Sequence, residues 1–345
     1  QEQEDGFEVV NWLSQQSWCS GNVGMIGFSW GGITSMQVAS LDPKALKAII
    51  PVTSSVDRYY DDAGYFLGCL VGQTIGWGVE MDSLSTRPPD PDIVGKRWKK
   101  IWKNRLQKTP PYVPIWLSHQ EKDKYWLQGT ISKNYNLIKC PVLATGGWAD
   151  CWPNTVGRLV KNLNTNVKGI SGPWGHNYSC FAKPGPQIDF LNECLKWWDK
   201  WLKNKNNGVD KDPKITAFIR KSMKPNSLGV DRPGYWIKEN SWPPKSNVNK
   251  KFYLDENKLI NTKKTLKNKF INFTSPQNTG YGSGEYMPWF VAGEGPELPT
   301  DQKIDDAKSL TFDSNILIEG LKILGSAQLK LKVSSNKNCG MVAAR

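Results

Sequence analysis

Histidine is scarce in this sequence: of its 345 residues, only His119 and His176 are histidines. No stretch of eighteen consecutive residues is apolar, which excludes a membrane-spanning helix of ordinary length. The seven cysteines include no Cys-x-x-Cys motif, so we expect them to be mostly reduced and partly buried. Because histidine and cysteine nowhere cluster, we expect no metal and no organic cofactor.

Acidic residues are outnumbered by basic ones. Lysine and arginine total 45 against 32 aspartates and glutamates, which gives a formal charge of +13. A nucleic-acid-binding protein would concentrate such a charge in a patch or stripe. Here the lysines are scattered, densest between Lys196 and Lys269, with asparagine and aspartate between them. The charge therefore indicates a solvated surface, and we expect no nucleic-acid partner and no membrane partner.

One stretch combines a strand, a sharp turn and a helix. The apolar run 23–28 leads into Gly27-Phe28-Ser29-Trp30-Gly31, and an apolar, helix-compatible segment follows up to Leu41. This context is that of a nucleophile elbow, in which Ser29 projects from a strained turn. The two glycines would let neighbouring backbone pass close to the turn. We expect the backbone N–H of Trp30 to serve as one oxyanion donor; the alternative is a glycine turn carrying an ordinary serine.

A serine nucleophile needs a base, and the base needs an acid to hold it. His176 lies where a predicted strand, 167–170, runs into a Gly/Pro loop, whereas His119 precedes a charged run and is interpreted as a surface or cap histidine. Asp150 follows another apolar strand and two glycines. The order Ser29, Asp150, His176 is the one expected of α/β-hydrolases. These three residues are therefore the predicted catalytic triad.

The sequence around these residues resembles that of the CocE/NonD hydrolases, a group of esterases and acylases that also includes the Xaa-Pro dipeptidyl-peptidases of family S15. The resemblance is carried by the approach to the elbow, 5–25, by the acid and base motifs, 146–150 and 172–176, and by 190–203. It implies an α/β-hydrolase sheet with an inserted helical cap, followed by a C-terminal jelly-roll β-sandwich. A polar linker, 203–208, separates the two domains.

The predicted domains are a hydrolase domain at 1–205, with its cap inserted at about 56–137, and a sandwich at 210–345. Helices are expected near 92–106 and 187–202; in the second of these Leu191, Leu195, Trp198 and Leu202 share one face. Strands of the sandwich are expected at 214–219, 251–254 and 327–333, where the apolar period is two. The predicted substrate pocket consists of Trp148, Cys151, Trp152, Tyr59, Tyr60 and Phe66.

The ends of the sequence carry two further expectations. Several strands precede the elbow in an α/β-hydrolase, yet Ser29 comes early, so we expect an N-terminal part to be missing. The resemblance implies that this part carries a tyrosine that donates the second oxyanion hydrogen bond. Because the sequence stops at 341–345, inside an expected strand, we also expect the sandwich to be truncated, with an unpaired edge.

The predicted function is a serine hydrolase that cleaves an ester or amide through an acyl-enzyme, with a small ester, amide or short peptide as substrate. Cys151, Trp152 and Pro153 carry no charge, which favours a hydrophobic acyl group over an amine-anchored peptide. The alternative is an Xaa-Pro dipeptidyl-peptidase, whose amine anchor would be Asp57, Asp61 or Asp62. Acyl transfer to an acceptor other than water, and a non-catalytic binding protein on the same fold, also stay open. We favour the cytoplasm over the periplasm or secretion, and a homo-oligomer is left open.

Overall fold

The computed structural model describes residues 1–62, 64–228, 230–262, 270–282 and 300–345. Its strands are β1 (Val23–Phe28), β2 (Leu46–Val52), β3 (Tyr65–Phe66), β4 (Cys69–Leu70), β5 (Val142–Gly147), β6 (Val167–Gly172), β7 (Ile215–Arg220), β8 (Gly234–Glu239), β9 (Tyr253–Asp255) and β10 (Lys258–Ile260). Its α-helices are α1 (Glu2–Ser14), α2 (Trp30–Ser40), α3 (Gln73–Ser85), α4 (Pro91–Val94), α5 (Trp98–Lys108), α6 (Tyr112–Ser118), α7 (Lys124–Leu127), α8 (Thr155–Asn162), α9 (Phe190–Trp201) and α10 (Lys303–Asp306).

The main sheet has six strands in the order β1-β2-β5-β6-β7-β8. The first five are parallel, and β8 runs antiparallel to β7. Strands β2, β5 and β6 are almost entirely buried, as is usual for parallel strands covered on both faces. Parallel strands end at a common edge of the sheet, so the segments that follow β1, β5 and β6 meet there.

Three helices cover this sheet. Helix α2 follows β1 directly and is buried on most sides, which fits its apolar, small-residue composition. Helix α8 joins β5 to β6. Helix α9 follows β6 in the chain and packs against β2. The main core cluster lies where α9 meets the sheet and includes Ile50, Leu143, Phe190 and Trp197. No helix in the described ranges is both long and apolar enough to cross a membrane.

The helix predicted near 187–202 is observed as α9, and the side chains that it buries are not those of the predicted leucine face. Its buried residues are Phe190, Cys194 and Trp197, whereas Leu191 and Leu195 are 69% and 55% exposed. Two apolar stripes run along α9 one residue apart, and both have helical spacing. Phe190, Cys194 and Trp197 belong to the main core cluster, and Trp198 of the other stripe is partly buried against it.

C-terminal to β8, the described residues contain a short hairpin in which β9 and β10 pair antiparallel. The run 214–219, expected in a separate sandwich, instead forms β7 and extends the main sheet together with β8. The strand predicted at 327–333 does not form: this run has no strand pairing, and its Leu329 and Val333 are exposed. Alternation alone supplies no hydrogen-bond partner, and a strand needs one. Segments 263–269 and 283–299 of the predicted sandwich lie outside the described residues.

The chain divides into two compact units, of which the first comprises Gln1–Ser54 and Ile138–Lys330 and contains the main sheet. The second comprises Ser55–Leu137 and Leu331–Arg345. It holds the β3–β4 hairpin and helices α3 to α7. The helical structure expected near 92–106 is present as α4, a 3-10 turn and α5. The predicted insertion falls within this unit, and its function as a cap stays a prediction.

Candidate active site

Ser29 lies in the tight turn between β1 and α2. Its backbone has φ 57° and ψ −119°, a conformation that L-residues rarely adopt. The strain is held by hydrogen bonds on both sides: the Ser29 N–H donates to the Val52 carbonyl at 2.9 Å, and the Ser29 carbonyl accepts from Gly32 and Ile33. A non-glycine residue kept in this conformation is typical of functional sites, and the turn points the side chain of Ser29 away from the strand direction.

The two glycines flanking Ser29 have different functions. A Cβ on Gly27 would lie 2.0 Å from the Gly31 carbonyl oxygen, so the turn closes only with glycine at this position. A Cβ on Gly31 would meet nothing within 4 Å. The expectation that both glycines permit close backbone passage is therefore confirmed for Gly27 and wrong for Gly31, which is in helical backbone and faces open space.

Asp150 and His176 follow the neighbouring parallel strands β5 and β6. The Ala149 N–H donates to the Trp174 carbonyl at 2.9 Å, which ties the turn after β5 to the turn after β6. A Cβ on Gly147 would lie 2.0 Å from the same carbonyl oxygen, so glycine is required where β5 ends. The Gly-Gly and Gly/Pro composition of these segments thus brings the two turns into direct contact.

The structure brings the three predicted residues together. Nε2 of His176 lies 2.9 Å from Oγ of Ser29, and Nδ1 lies 3.3 Å from both carboxylate oxygens of Asp150. Asp150 is 4% exposed and His176 is 7% exposed. With the proton on Nδ1, the imidazole donates to Asp150 and Nε2 accepts the Ser29 hydroxyl proton. This arrangement can generate a serine alkoxide while the charge on the imidazole is compensated.

Cys151 and Trp152, two of the residues predicted to line the substrate pocket, contact the acid and the base. The backbone N–H of Trp152 donates to Oδ1 of Asp150 at 2.9 Å, and Sγ of Cys151 lies 3.1 Å from the same oxygen. Cys151 is also 3.8 Å from Nδ1 of His176. Both residues are buried and pack with Ile33. They therefore orient the carboxylate of Asp150, whatever part they have in binding substrate.

The sequence reasoning missed Phe28. Its ring centroid lies 4.9 Å from that of His176, and the Trp152 ring meets the imidazole edge-on at 5.2 Å. The imidazole is thus held between two aromatic rings as well as by its hydrogen bonds. The signal was available: Phe28 directly precedes Ser29 in the predicted elbow, so its side chain lies beside the reacting atoms.

Asp150, Cys151 and His176 also present three potential metal-ligand atoms within 4.8 Å of one another. A metal ion held by these atoms would take Nδ1 of His176 and the carboxylate that faces it. It would then replace the hydrogen bond on which the base depends. The same residues can therefore serve as a metal site or as an acid–base pair, and the contact of Nε2 with Ser29 fits the second.

Trp30 is the first residue of α2, where the positive end of the helix dipole lies. Its indole N–H donates to Glu2 Oε1 at 2.9 Å, and the Thr34 hydroxyl donates to the same oxygen at 3.0 Å. Helix α1 is thereby tied to the first turn of α2. The function of the Trp30 backbone N–H as an oxyanion donor stays a prediction.

Two comparisons with family models span most of the chain. Residues 1–178 match the model of the X-Pro dipeptidyl-peptidase (S15 family), and residues 207–345 match that of the X-Pro dipeptidyl-peptidase C-terminal non-catalytic domain. The chain belongs to the S15 family. The second match includes β7 and β8, which continue the main sheet. The S15 membership and the CocE/NonD resemblance expected from the sequence are confirmed.

Relatives of this S15 chain include both esterases and peptidases. Cocaine esterase from a Rhodococcus species is 24% identical over 379 residues, covering 97% of this chain and 64% of the relative. A putative Xaa-Pro dipeptidyl-peptidase from Bacillus anthracis is 22% identical, covering 99% of this chain and 51% of the relative. The chain thus spans between half and two thirds of the length of these relatives.

The fold of the S15 chain is also that of solved structures. A CocE/NonD family hydrolase from Staphylococcus aureus superimposes with a TM-score of 0.58 at 21% identity, covering 76% of this chain and 42% of that one. An aminopeptidase from a Thaumarchaeota archaeon gives a TM-score of 0.52 at 18% identity, with coverages of 76% and 46%. The predicted α/β-hydrolase fold class is therefore confirmed.

The remaining predicted pocket residues lie elsewhere in the S15 chain. The Trp148 indole donates to the Phe218 carbonyl at 2.8 Å and stacks on Trp242, so it contacts β7 and the segment after β8. Tyr59 and Tyr60 belong to the second unit, as does Phe66 in β3. Within that unit the Tyr59 hydroxyl donates to a backbone carbonyl and its ring stacks on Tyr65. That these four residues contact substrate stays a prediction.

His119, the histidine set aside as a base, also lies in the second unit of the S15 chain. It hydrogen-bonds Asp123 and stacks on Tyr125 with ring centroids 4.3 Å apart. The hydrogen bond to His119 lowers the pKa of Asp123. These contacts account for His119 as part of the packing of α7.

Asp57, a candidate amine anchor, is buried in the second unit and already bonded. Its Oδ1 accepts the N–H groups of Tyr59 and Tyr60 at 3.1 and 3.0 Å, and its Oδ2 accepts the Ser132 hydroxyl at 2.6 Å. Lys122 lies 3.5 Å from Oδ2. Burial alone would raise the pKa of Asp57, but these hydrogen bonds and the lysine charge outweigh it and lower that pKa. The contacts are those of a carboxylate that caps a turn.

The other two anchor candidates also have bonded positions in the second unit. Asp62 forms an ion pair with Arg58, and both side chains are mostly buried. Asp61 is fully buried, and its backbone carbonyl accepts a hydrogen bond from the Ser55 hydroxyl. The observed contacts fit a structural function better than an anchoring one.

Proposed function

We propose that the chain supplies the catalytic machinery of a serine hydrolase that cleaves an ester or amide bond through an acyl-enzyme. The observation that carries the proposal is the 2.9 Å contact between Oγ of Ser29 and Nε2 of His176, with Asp150 on the other nitrogen. This is the arrangement that converts a serine hydroxyl into a nucleophile. Membership of the S15 family supports it.

In the proposed reaction, Oγ of Ser29 attacks the carbonyl carbon while its proton passes to Nε2 of His176. Asp150 accepts the Nδ1–H hydrogen bond and stabilises the imidazolium. The backbone N–H of Trp30 donates to the oxyanion, a contribution of about 3 kcal/mol to lowering the barrier. His176 then protonates the leaving group, which leaves the acyl group bound to Ser29 as an ester. Water, activated by the same imidazole, hydrolyses this acyl-enzyme.

As substrate we propose an ester or amide with a hydrophobic acyl group. The residues after the acid, Cys151 and Trp152, are uncharged and buried, so an ammonium group placed there would be unpaired. The bonded state of Asp57 and Asp62 makes both poor anchors, because an incoming amine would compete with Lys122 or Arg58. The esterase among the relatives fits this choice.

The alternative is an Xaa-Pro dipeptidyl-peptidase. It is supported by the description of both matching family models and by relatives of that name. A non-catalytic binding protein is disfavoured because such a protein would have no need to keep a strained serine against an imidazole. We further propose that 56–137 forms a cap, that the C-terminal part forms a sandwich, and that the protein is cytoplasmic, with a small molecule as its partner.

The proposal is tested with a fluorophosphonate probe followed by peptide mass spectrometry of the full-length protein. We expect a single modified serine, Ser29, and no modification after Ser29→Ala. The exposed Ser20, in the turn before β1, gives a matched control: Ser20→Ala should label like the wild type. Absence of labelling at Ser29 in the folded wild-type protein would leave the binding-protein hypothesis standing.

A substrate panel then separates the two enzyme hypotheses. It contains p-nitrophenyl esters of increasing acyl length and Xaa-Pro anilides, each assayed with wild type and Ser29→Ala. Ester turnover that rises with acyl length supports the proposal. Rapid cleavage of Ala-Pro-anilide with negligible ester turnover would establish the peptidase instead, and Asp57→Asn and Asp62→Asn would then identify the anchor.

A further inference from the structure

A basic cavity lies at the end of β7, outside the set of residues already described. It has a volume of about 400 Å³ and is lined by Arg220, Lys221, Lys224 and Arg232 together with neutral residues. None of the described residues that line it is acidic. Four cationic side chains therefore share one open concavity, and its described lining residues include no carboxylate.

Within the described part of the chain, the two arginines of this cavity form no hydrogen bond or ion pair with a carboxylate. Arg220 has no side-chain hydrogen bond or ion pair among the described residues. The Arg232 guanidinium donates to Sδ of Met223 at 3.0 Å and to the Asn226 carbonyl at 3.3 Å, both neutral acceptors. Burial of its guanidinium, and then the charge of Arg232, lower the pKa of Arg220. Each guanidinium thus retains donors and positive charge that an anion would satisfy.

The cavity lies on the same edge of the sheet as the triad. Ser171 of β6 pairs with Ala217 of β7, so Arg220 is carried past the end of β6, where His176 follows. The loops are also tied together: Gly175 donates to the Lys183 carbonyl at 2.8 Å, and Arg232 donates to the Gly185 carbonyl at 2.9 Å. The segment 175–185, which contains His176, is thus hydrogen-bonded to the backbone of Arg232, one of the residues that line the cavity.

We propose that this cavity binds the oxyanion group of a small molecule, with Arg220 and Arg232 as paired donors, and that in the reaction this group is a carboxylate of the substrate. The second part rests on the proposed function and narrows it to esters or amides that carry a carboxylate away from the scissile bond. Two guanidinium groups suit a planar or tetrahedral oxyanion because each can donate two parallel N–H hydrogen bonds.

Binding is tested first, without turnover. Inorganic phosphate and succinate are titrated calorimetrically into the wild-type protein and into Arg220→Gln, Arg220→Lys and Lys214→Gln. We expect Arg220→Gln to weaken binding about tenfold or more, and Arg220→Lys to restore part of it. Lys214, exposed just before the opposite end of β7, is the control for net charge, and its variant should bind like the wild type. Equal binding by wild type and Arg220→Gln, or an equal loss in Lys214→Gln, would overturn the proposal.

The source of the anion is tested with two esters of equal acyl length, mono-p-nitrophenyl adipate and p-nitrophenyl hexanoate. If the carboxylate belongs to the substrate, Arg220→Gln should raise KM for the adipate ester about tenfold and leave the hexanoate ester unchanged. If anion binding falls but neither ester is affected, the cavity binds a free anion and the substrate part is wrong. Because Ser29→Ala removes turnover without touching the cavity, anion binding by that variant separates a failure of this proposal from a failure of the hydrolase proposal.

Discussion

Replacing Asp150 by asparagine tests whether the proton of the His176 imidazole must be on Nδ1 for catalysis. Oδ1 of Asp150 accepts both the Trp152 N–H and the Cys151 thiol, so an asparagine side chain must keep its carbonyl oxygen in that position. Its NH₂ group then occupies the place of Oδ2, 3.3 Å from Nδ1 of His176. A donor facing Nδ1 favours the tautomer with the proton on Nε2, which can no longer accept the proton of Ser29.

The expected loss follows from this tautomer change. The same substitution at a serine protease triad lowers kcat by about 10⁴ while the geometry is preserved. A loss of that size corresponds to about 5.5 kcal/mol of barrier at 1.36 kcal/mol per tenfold. Because Nδ1 is equally close to Oδ1, part of the normal tautomer survives, and we expect kcat/KM to fall by about 10³ to 10⁴. Stability should change little, since volume and shape are conserved.

The assay combines turnover with a direct reading of the proton. Fluorophosphonate labelling rates and ester hydrolysis give the loss, and nitrogen chemical shifts of the imidazole give the tautomer. His119→Gln leaves His176 as the only histidine, which assigns the signal. Asp189→Asn, in which asparagine can still cap α9, is the matched control and should keep full activity. An Asp150→Asn variant with more than a tenth of wild-type kcat/KM, or with the proton still on Nδ1, would refute the reasoning.

Three further perturbations have expected outcomes. His176→Ala should lower kcat by several orders of magnitude while His119→Ala leaves it intact; the reverse pattern in ester assays would make His119 the base. Gly27→Ala should cost about 3 kcal/mol or more in chemical denaturation, whereas Gly31→Ala should be neutral or stabilising in the helix, and equal costs would contradict this contrast. Lys168→Met should cost about 1 kcal/mol, because the two carboxylates that lose Lys168 are partly exposed to solvent and Glu193 keeps Lys196 as a partner. Burial lowers the pKa of Lys168, but its ion pairs outweigh burial and raise it, so its contribution should persist below pH 10.5 and fade above; a pH-independent cost would count against it.

The site was more predictable than the fold around it. Ser29 was identifiable because the elbow is a local pattern: a strand, a glycine turn and a helix, all within the first 41 residues. Asp150 and His176 were identifiable because each follows a buried parallel strand, and because the chain offers only two histidines. The strands β2 and β6 start where apolar runs start. In each case the information lies within a few residues of the element it specifies.

Contacts between distant segments were less predictable. Two apolar stripes of α9 have helical spacing, and only the structure shows that the one with Phe190 and Trp197 packs in the core cluster with Ile50 and Leu143. Strand β7 has the alternation of a sandwich strand, yet it pairs with β6. Phe28, Cys151 and Trp152 are recognisable as neighbours of the triad, but only the folded turns show that they touch His176 and Asp150.

The pairing of β2 with β5 fixes where the segment 55–137 leaves the main sheet and where it returns. Val52 and Thr145 face each other across adjacent strands, although the whole segment 55–137 lies between them in the chain. The two exits from the sheet are therefore fixed as neighbours whatever length of chain joins them, and closing a longer loop adds little free energy. The segment between β2 and β5 can therefore be lengthened or replaced without altering the backbone that positions Ser29, Asp150 and His176.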